Sequence, residues 1–255
     1  MRLEGKAGVV TGAASGLGRE VVLALTKEGA KIVLFDRDAT GGARVVEEVK
    51  AAGGTALFQH GDVTNEADIV GVIARCRERF GSFDLIHNNA GIQIEAPLHE
   101  TTVEQWDNVN NVNLKGVFFG CKHAVIAMRE GSGGSIVNTA SILALTGDAF
   151  LPAYTATKTG VLGLTRAIAI GYAIDGIRCN AVCPGDMETP MIEKYFKATP
   201  DPVAARREME QAYPGKRIAH PREVAQAVLY LTSDESRFVN GTYILVDGGL
   251  TAKTY

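Results

Sequence analysis

Ala7-Gly8-Val9-Val10-Thr11-Gly12-Ala13-Ala14-Ser15-Gly16-Leu17-Gly18 joins a short β-branched run to a helical period marked by Val21, Val22 and Leu25. The run reads as a buried strand and the period as an amphipathic helix. Gly12, Gly16 and Gly18 in the connecting turn let the chain bend tightly and bring backbone N–H groups and a helix N-terminus against a pyrophosphate. Ser15 and Leu17 belong to the same turn. The spacing is Gly-x-x-x-Gly-x-Gly, which departs from the Gly-x-Gly-x-x-Gly dinucleotide fingerprint, so the strand before and the helix after carry much of the reading.

Outward from this turn, Lys31-Ile32-Val33-Leu34-Phe35-Asp36 reads as a second strand ending in an acid. A carboxylate there accepts hydrogen bonds from both adenosine-ribose hydroxyls and repels a 2′-phosphate, which favours NAD over NADP. Arg37 pulls the other way, because a guanidinium pairs with such a phosphate. Asp62-Val63, after a third run at Thr55-Ala56-Leu57-Phe58, is placed to cover an adenine edge, or Asp62 caps the next turn. Further strands are expected at 83–87, 135–139, 177–182 and 243–247. Ile69, Val72, Ile73, Cys76 and Phe80 share one helical face, and Val224, Val228 and Leu231 repeat the pattern after Pro221. Strands too continuously apolar for a one-faced sheet, alternating with helices, predict an α/β fold: a Rossmann-type, doubly wound, seven-stranded parallel sheet with helices on both faces. No linker or repeat divides residues 1–255, which predicts a single domain. The excursion at 185–217 breaks the alternation and reads as a substrate lid, with a helical flap packed as core the other reading.

The chain has 255 residues, 26 Lys+Arg against 29 Asp+Glu, and 46% hydrophobic residues. A net charge of −3 gives no general attraction to nucleic acid or anionic membranes. Cys76, Cys121, Cys179 and Cys183 lack metal-ligand spacing, so no metal is expected and a reducing, cytoplasmic compartment fits. The first six residues are too polar for a secretory leader, and the longest uncharged run, Gly131 to Gly147, is rich in Gly, Ser, Thr and Asn, so no membrane span is expected.

Tyr154 and Lys158 stand four apart, on one face of a helix opened near Pro152. Ser141 adds a hydroxyl just past the fifth strand, at the end of the sheet where ligands bind, and Asn113 lies in the long helix before that strand. A phenol with pKa near 10 becomes a base near neutrality only if its phenolate is stabilised by about 4 kcal/mol, the order of energy one nearby cation supplies.

In this set of residues the sequence closely resembles the short-chain dehydrogenase/reductase family, in its compact single-domain branch. The likeness runs through the Thr11–Gly18 turn, Asp36, Asp62, Asn88-Asn89-Ala90-Gly91, Asn113, Ser141, Tyr154/Lys158, Pro184-Gly185 and Val246-Asp247-Gly248-Gly249, and so spans essentially the whole chain. It implies nicotinamide-dependent interconversion of an alcohol and a carbonyl, and a homotetramer or homodimer. It assigns Tyr154 as general acid/base, Lys158 as its cation and the holder of the nicotinamide ribose, and Ser141 as the hydrogen-bond partner of the substrate oxygen. It assigns Asn113 to a water relay, Asn89, Ala90 and Gly91 to the adenosine ribose, and Pro184, Gly185 and Thr189 to the carboxamide. Met187 stands where the family commonly has Ile or Val.

Gln93, Ile94, Ser141, Leu143, Met191 and Tyr195 are the expected substrate contacts, with Ile142, Leu151 and Phe196 nearby. Their mostly apolar character points to a hydrophobic secondary alcohol or ketone, cyclic or aromatic, over a polyhydroxylated sugar. Two other readings stand beside it: a 3-oxoacyl-carrier-protein reductase using NADPH, for which Arg129 would serve an acidic partner, and a non-catalytic dinucleotide sensor. Gly116 and Gly120 permit close helix approach, within one subunit or between two.

Overall fold

The computed structural model describes residues 1–253. Seven strands form one parallel sheet in the order β3-β2-β1-β4-β5-β6-β7: β1 (Ala7–Thr11), β2 (Lys31–Asp36), β3 (Thr55–His60), β4 (Leu85–Asn88), β5 (Gly134–Thr139), β6 (Ile177–Pro184) and β7 (Tyr243–Val246). The period-2 geometry of a strand sends Val9, Val33 and Phe35 to one face and Val10, Ile32 and Leu34 to the other, and all six are fully buried. Helices α1 (Gly16–Lys27), α2 (Ala39–Ala51) and α9 (Pro221–Thr232) cover the second face. Helices α3 (Glu66–Phe80), α5 (Gly116–Arg129) and α6 (Pro152–Gly171) cover the first. A buried aliphatic side chain contributes about 1.5–3 kcal/mol here, so the two sandwiched layers dominate stability.

Local chemistry sets the element ends. Asn65 caps α3 through Ala67 N–H, and Gly81 closes it in the left-handed conformation. Asp84 leaves the fourth strand two residues shorter at its start than the sequence suggests, because its carboxylate accepts from Ala7 N–H at 2.8 Å. Asp247 ends β7 one residue early by accepting from Gly249 and Thr251 N–H at 3.0 and 2.9 Å. The third and sixth strands run on to His60 and Pro184, paired with Asp36 and Val246.

The long helix expected before β5 is interrupted. Helix α4 (Val103–Asn110) passes into a π-helical turn at Asn111–Lys115 before α5 begins. Gly116 and Gly120 face inward: a Cβ on Gly116 would meet Val63 at 2.9 Å, and one on Gly120 would collide with the Asn88 amide. Their close approach is therefore within the chain.

The excursion after β6 holds α7 (Pro190–Ala198) and α8 (Pro202–Ala212). A bridge between Met187 and Ala219 closes its base. Arg206 sews the two helices together, donating to Glu188 at 2.7 Å, Glu193 at 3.2 Å and Glu210 at 2.9 Å. Phe196 is buried, 3% exposed, with the Arg206 guanidinium over its ring at 5.9 Å. Among the described residues no helix is long and apolar enough to cross a membrane, and no cluster of metal-ligating side chains occurs.

Candidate active site

Chain order reverses between β1 and β4, and a crevice opens there at the carboxyl ends of the strands, where open α/β sheets bind ligands. Its floor is the turn quoted at the outset. Gly12 takes φ +63°, and a Cβ on Gly18 would strike the Gly12 carbonyl, so only glycine lets α1 start this close to β1. Six other α-helices have a side-chain cap; α1 has none, and no acid lies in its first turn. Its N-terminal N–H groups are thus left for an anion. Asn89 braces the turn by donating to the carbonyls of Thr11 and Gly12, each at 3.1 Å, while Thr11 Oγ1 accepts from Asn89 and Ala90 N–H at 2.9 and 3.1 Å.

A cleft of about 330 Å³ extends from this turn past Asp36, Arg37, Asp62, Val63, Asn89, Ala90 and Gly91 to Tyr154, Lys158, Met187 and Thr189. Ser15, Gly16 and Leu17 line it with Gly12. Asp36 Oδ2 accepts from Ala14 N–H at 2.9 Å and Oδ1 from Asp38 N–H at 2.9 Å, which aims the carboxylate at the mouth of the turn. Arg37 reaches away from Asp36 to pair with Asp62 at 3.5 Å. Gly18 lies beneath the turn and outside the lining. Pro184 and Gly185 line the neighbouring cavity instead, because β6 runs two residues farther than its apolar pattern indicates.

Tyr154 and Lys158 sit on the first two turns of α6, with Lys158 Nζ 5.5 Å from the centre of the Tyr154 ring. Lys158 donates to the Thr139 carbonyl at 2.7 Å, at the end of β5. Burial pushes the Tyr154 phenol up to about 12, against a smaller downward pull from the Ser141 hydroxyl. Burial also pushes the Lys158 ammonium down to about 8. Without a further positive charge beside it, the phenol therefore stays protonated at neutral pH. Ser141 Oγ accepts from Leu143 N–H at 3.1 Å, leaving its own proton free to donate.

Asn113 stands in the π-helical turn and is fully buried. Its amide is consumed by one backbone unit, with Oδ1 accepting from Ile92 N–H at 2.8 Å and Nδ2 donating to Ile92 C=O at 2.9 Å. It lines neither cavity, although it meets Lys158 across Gly91, where a Cβ would lie 3.4 Å from Asn113 Oδ1 and 3.6 Å from Lys158 Nζ.

A second cavity, about 620 Å³, adjoins the cleft at Thr139, Tyr154, Met187, Thr189 and Met191. Gln93, Ser141, Leu143, Met191 and Tyr195 line it, with Ile142 and Leu151. Ile94 does not, and neither does Phe196, which lies beneath Arg206; Ile92 faces the cleft instead. The lining also brings residues that no local motif announces: Glu95, Asp148, Asp186, Met209, Thr251 and Lys253. His87 is a further surprise. Its Nε2 lies 2.9 Å from Thr139 Oγ1, which in turn reaches Asn89 Oδ1 at 3.4 Å, so one polar chain joins the phosphate-binding turn to the strand end that holds Lys158. Burial, then the Lys158 charge, pushes the His87 imidazole down to about 3, so it stays neutral. A single polar residue inside an apolar run was its only signal in the sequence.

Comparison with known proteins agrees with this geometry. Residues 12–251 match a family model described as enoyl-(acyl carrier protein) reductase. A cis-4-hydroxycyclohexanecarboxylate dehydrogenase from Sinomonas cyclohexanicum is 42% identical over 96% of this chain and 96% of its own. A 3-oxoacyl-[acyl-carrier-protein] reductase from Thermotoga maritima is 40% identical, covering 98% of this chain and 99% of its own. Among solved structures, levodione reductase superposes with a TM-score of 0.94 at 37% identity, over the full length of both chains. The uncapped helix at the glycine turn, the paired Tyr154 and Lys158 and these end-to-end similarities lead to one assignment: the chain belongs to the short-chain dehydrogenase/reductase family and is a nicotinamide-dependent oxidoreductase acting on alcohols.

Proposed function

We propose that the chain is an NAD-dependent dehydrogenase that interconverts a ring-bearing secondary alcohol and its ketone, with Tyr154 as the proton-transferring group. The observation that carries this reading is that Tyr154 borders both the cleft and the adjoining cavity, so one phenol serves a cofactor on one side and a substrate on the other. A bound nicotinamide dinucleotide supplies the chemistry of hydride exchange. The residues fit such a group: the uncapped start of α1 suits its pyrophosphate, Asp36 its adenosine ribose, Lys158 its second ribose, and Pro184, Gly185, Met187 and Thr189 its carboxamide end.

In the reducing direction the protonated Tyr154 donates to the carbonyl oxygen as negative charge gathers there, and the Ser141 hydroxyl donates a second hydrogen bond. Lys158 then faces a phenolate; a cation at about 5.5 Å in an effective dielectric of about 20 stabilises it by about 3 kcal/mol. Oxidation needs that phenolate first, so it calls on the same ammonium and gains as pH rises. Asn113 holds the π-helical turn against Ile92 beside Lys158, where a water chain to solvent would return the proton. The α7–α8 unit closes the cavity as a lid.

NAD is favoured over NADP because Asp36 lies at the ribose end and Arg37 is drawn toward Asp62. The ring-bearing substrate is supported by the apolar wall of Ile142, Leu143, Leu151 and Ile192 and by the likeness to a cis-4-hydroxycyclohexanecarboxylate dehydrogenase. The carrier-protein reading has the Thermotoga relative in its favour, but Arg129 is already paired with Asp175 at 3.2 Å. A panel of ring alcohols and ketones, followed by nicotinamide absorbance with each cofactor, tests the proposal. Turnover surviving intact in Tyr154→Phe, or a clear preference for NADP, overturns it. A homotetramer fits the exposed Trp106, Phe118, Ile126, Ile170, Ile174 and Phe238; sedimentation at the 27.1 kDa of one chain would refute it.

A further inference from the structure

We infer that Asp186 selects the substrate: its carboxylate accepts a hydrogen bond from a second donor on the ring, a hydroxyl or an ammonium group, while the reacting oxygen lies at Tyr154. The inference rests on reading the larger cavity as substrate space.

Asp186 follows Pro184-Gly185 at the carboxyl end of β6 and lines that cavity with Tyr154. Its field reaches the phenol, adding to the upward push on Tyr154. One side of the carboxyl is fastened. Tyr213, just past α8, donates to Oδ2 at 2.9 Å, and the same hydroxyl accepts from the Asp186 N–H at 2.5 Å. Among the described residues no donor reaches Oδ1. Asp186 is half-buried, so Oδ1 is open to the cavity, and a donor arriving with a ligand can fill it at close range.

The rest of the wall says what else such a ligand must be. Ile142, Leu143, Leu151, Ile192 and Met209 offer a ring body an apolar surface. Glu95 and Asp148 also have one oxygen taken, by Gln93 Nε2 at 3.1 Å and Phe150 N–H at 2.8 Å, but both are exposed, whereas Asp186 is half-buried. With Asp186 they make three carboxylates, against one ammonium, Lys253. That balance repels a carboxylate or phosphate on the substrate and tolerates a neutral or cationic donor. The expected class is an amphipathic ring, apolar on one face and carrying a hydroxyl or amine away from the reacting carbon.

The test compares cyclohexanol, 1,4-cyclohexanediol, 4-aminocyclohexanol and 4-hydroxycyclohexanecarboxylate. Each is titrated calorimetrically into the dinucleotide-loaded protein and assayed for turnover. Wild type is expected to favour the diol or the amine over cyclohexanol by about tenfold or more in Kd and kcat/KM, and to bind the carboxylate most weakly. Asp186→Leu should abolish the preference. Asp186→Asn, which keeps an acceptor and loses the charge, should retain it for the diol and lose it for the amine. Tyr213→Phe, a change outside the cavity wall, should weaken it several-fold by releasing the carboxyl, and serves if Asp186→Leu fails to fold. Donor-bearing rings binding wild type no better than cyclohexanol, the carboxylate binding best, or a preference surviving in Asp186→Leu each overturns the inference. Ring binding without turnover under either cofactor would instead refute the dehydrogenase reading and leave Asp186 standing.

Discussion

The cofactor cleft and the substrate cavity meet at Tyr154, yet they are built in opposite ways. The cleft is made largely of short runs at strand ends, 12 with 15–17, 35–37, 61–63 and 89–92, and much of its recognition is backbone: a glycine turn, an uncapped helix, peptide N–H groups. The cavity also uses runs, 139–143, 146–148 and 184–187, but it adds isolated side chains from segments far apart, Gln93, Tyr195, Met209 and Lys253, and presents its ligand with side chains. A ligand shared by many enzymes can be held by backbone geometry that a few glycines encode. A ligand particular to one enzyme must be met by side chains on loops, each free to change without disturbing the sheet.

Variants on the two sides should therefore fail differently. The largest effect belongs to the shared group. Tyr154→Phe is expected to lower kcat by about 10³-fold or more while dinucleotide affinity, read by quenching of reduced-nicotinamide fluorescence, stays near wild type. A loss of affinity instead would mean the phenol props the cleft and does no chemistry. Gly18→Val should weaken dinucleotide binding by about 100-fold for every substrate alike, since its side chain collides with the Gly12 carbonyl; a substrate-selective defect would break the division of labour. Asp36→Ala should cut the ratio of NAD to NADP efficiency by about 10- to 100-fold, the worth of charge-assisted hydrogen bonds, with no change in the ranking of alcohols.

The pH dependence is a further probe of the junction. A phenol pushed up to about 12 by burial is in its acid form throughout the neutral range, so reduction should be insensitive to pH there. Oxidation needs the conjugate base and should climb up to tenfold per pH unit until the phenol, lowered by the cofactor's positive charge, titrates. Lys158→Met should move that limb to higher pH. A flat oxidation profile would remove Tyr154 from proton transfer. The smallest effect is expected from Met191→Ala on the shared wall, a few-fold rise in KM for ring substrates, measured by steady-state kinetics across the same panel.

Much of the cleft was legible because its signals are local. The glycine turn needs only its neighbours to be interpreted, and Asp36 announces itself by ending an apolar strand. Pairing of β6 with β7 was not legible to its end, since a proline at position 184 reads as a stop until Val246 is seen beside it. The sequence puts Asn113 in the long helix before β5, but its partner, the Ile92 backbone, is 21 residues away, and the widened turn that seats it has no signature in composition. Position after β4 predicts Ile94 as a wall residue, whereas Ile92 faces the cleft, because alternation fails in the irregular chain there.

The amino-acid sequence alone determined the sheet, its parallel sense, the phosphate-binding turn and the spacing of Tyr154 and Lys158, all written in patterns shorter than about twenty residues and read out by strand and helix periods. Tertiary structure decided what lies opposite what. It turned Arg37 toward Asp62, held the phenol protonated by burying it, and placed one acid among 29, Asp186, against Tyr213 at the edge of the reacting space. Those outcomes depend on desolvation and on contacts between distant segments, and a linear pattern carries neither.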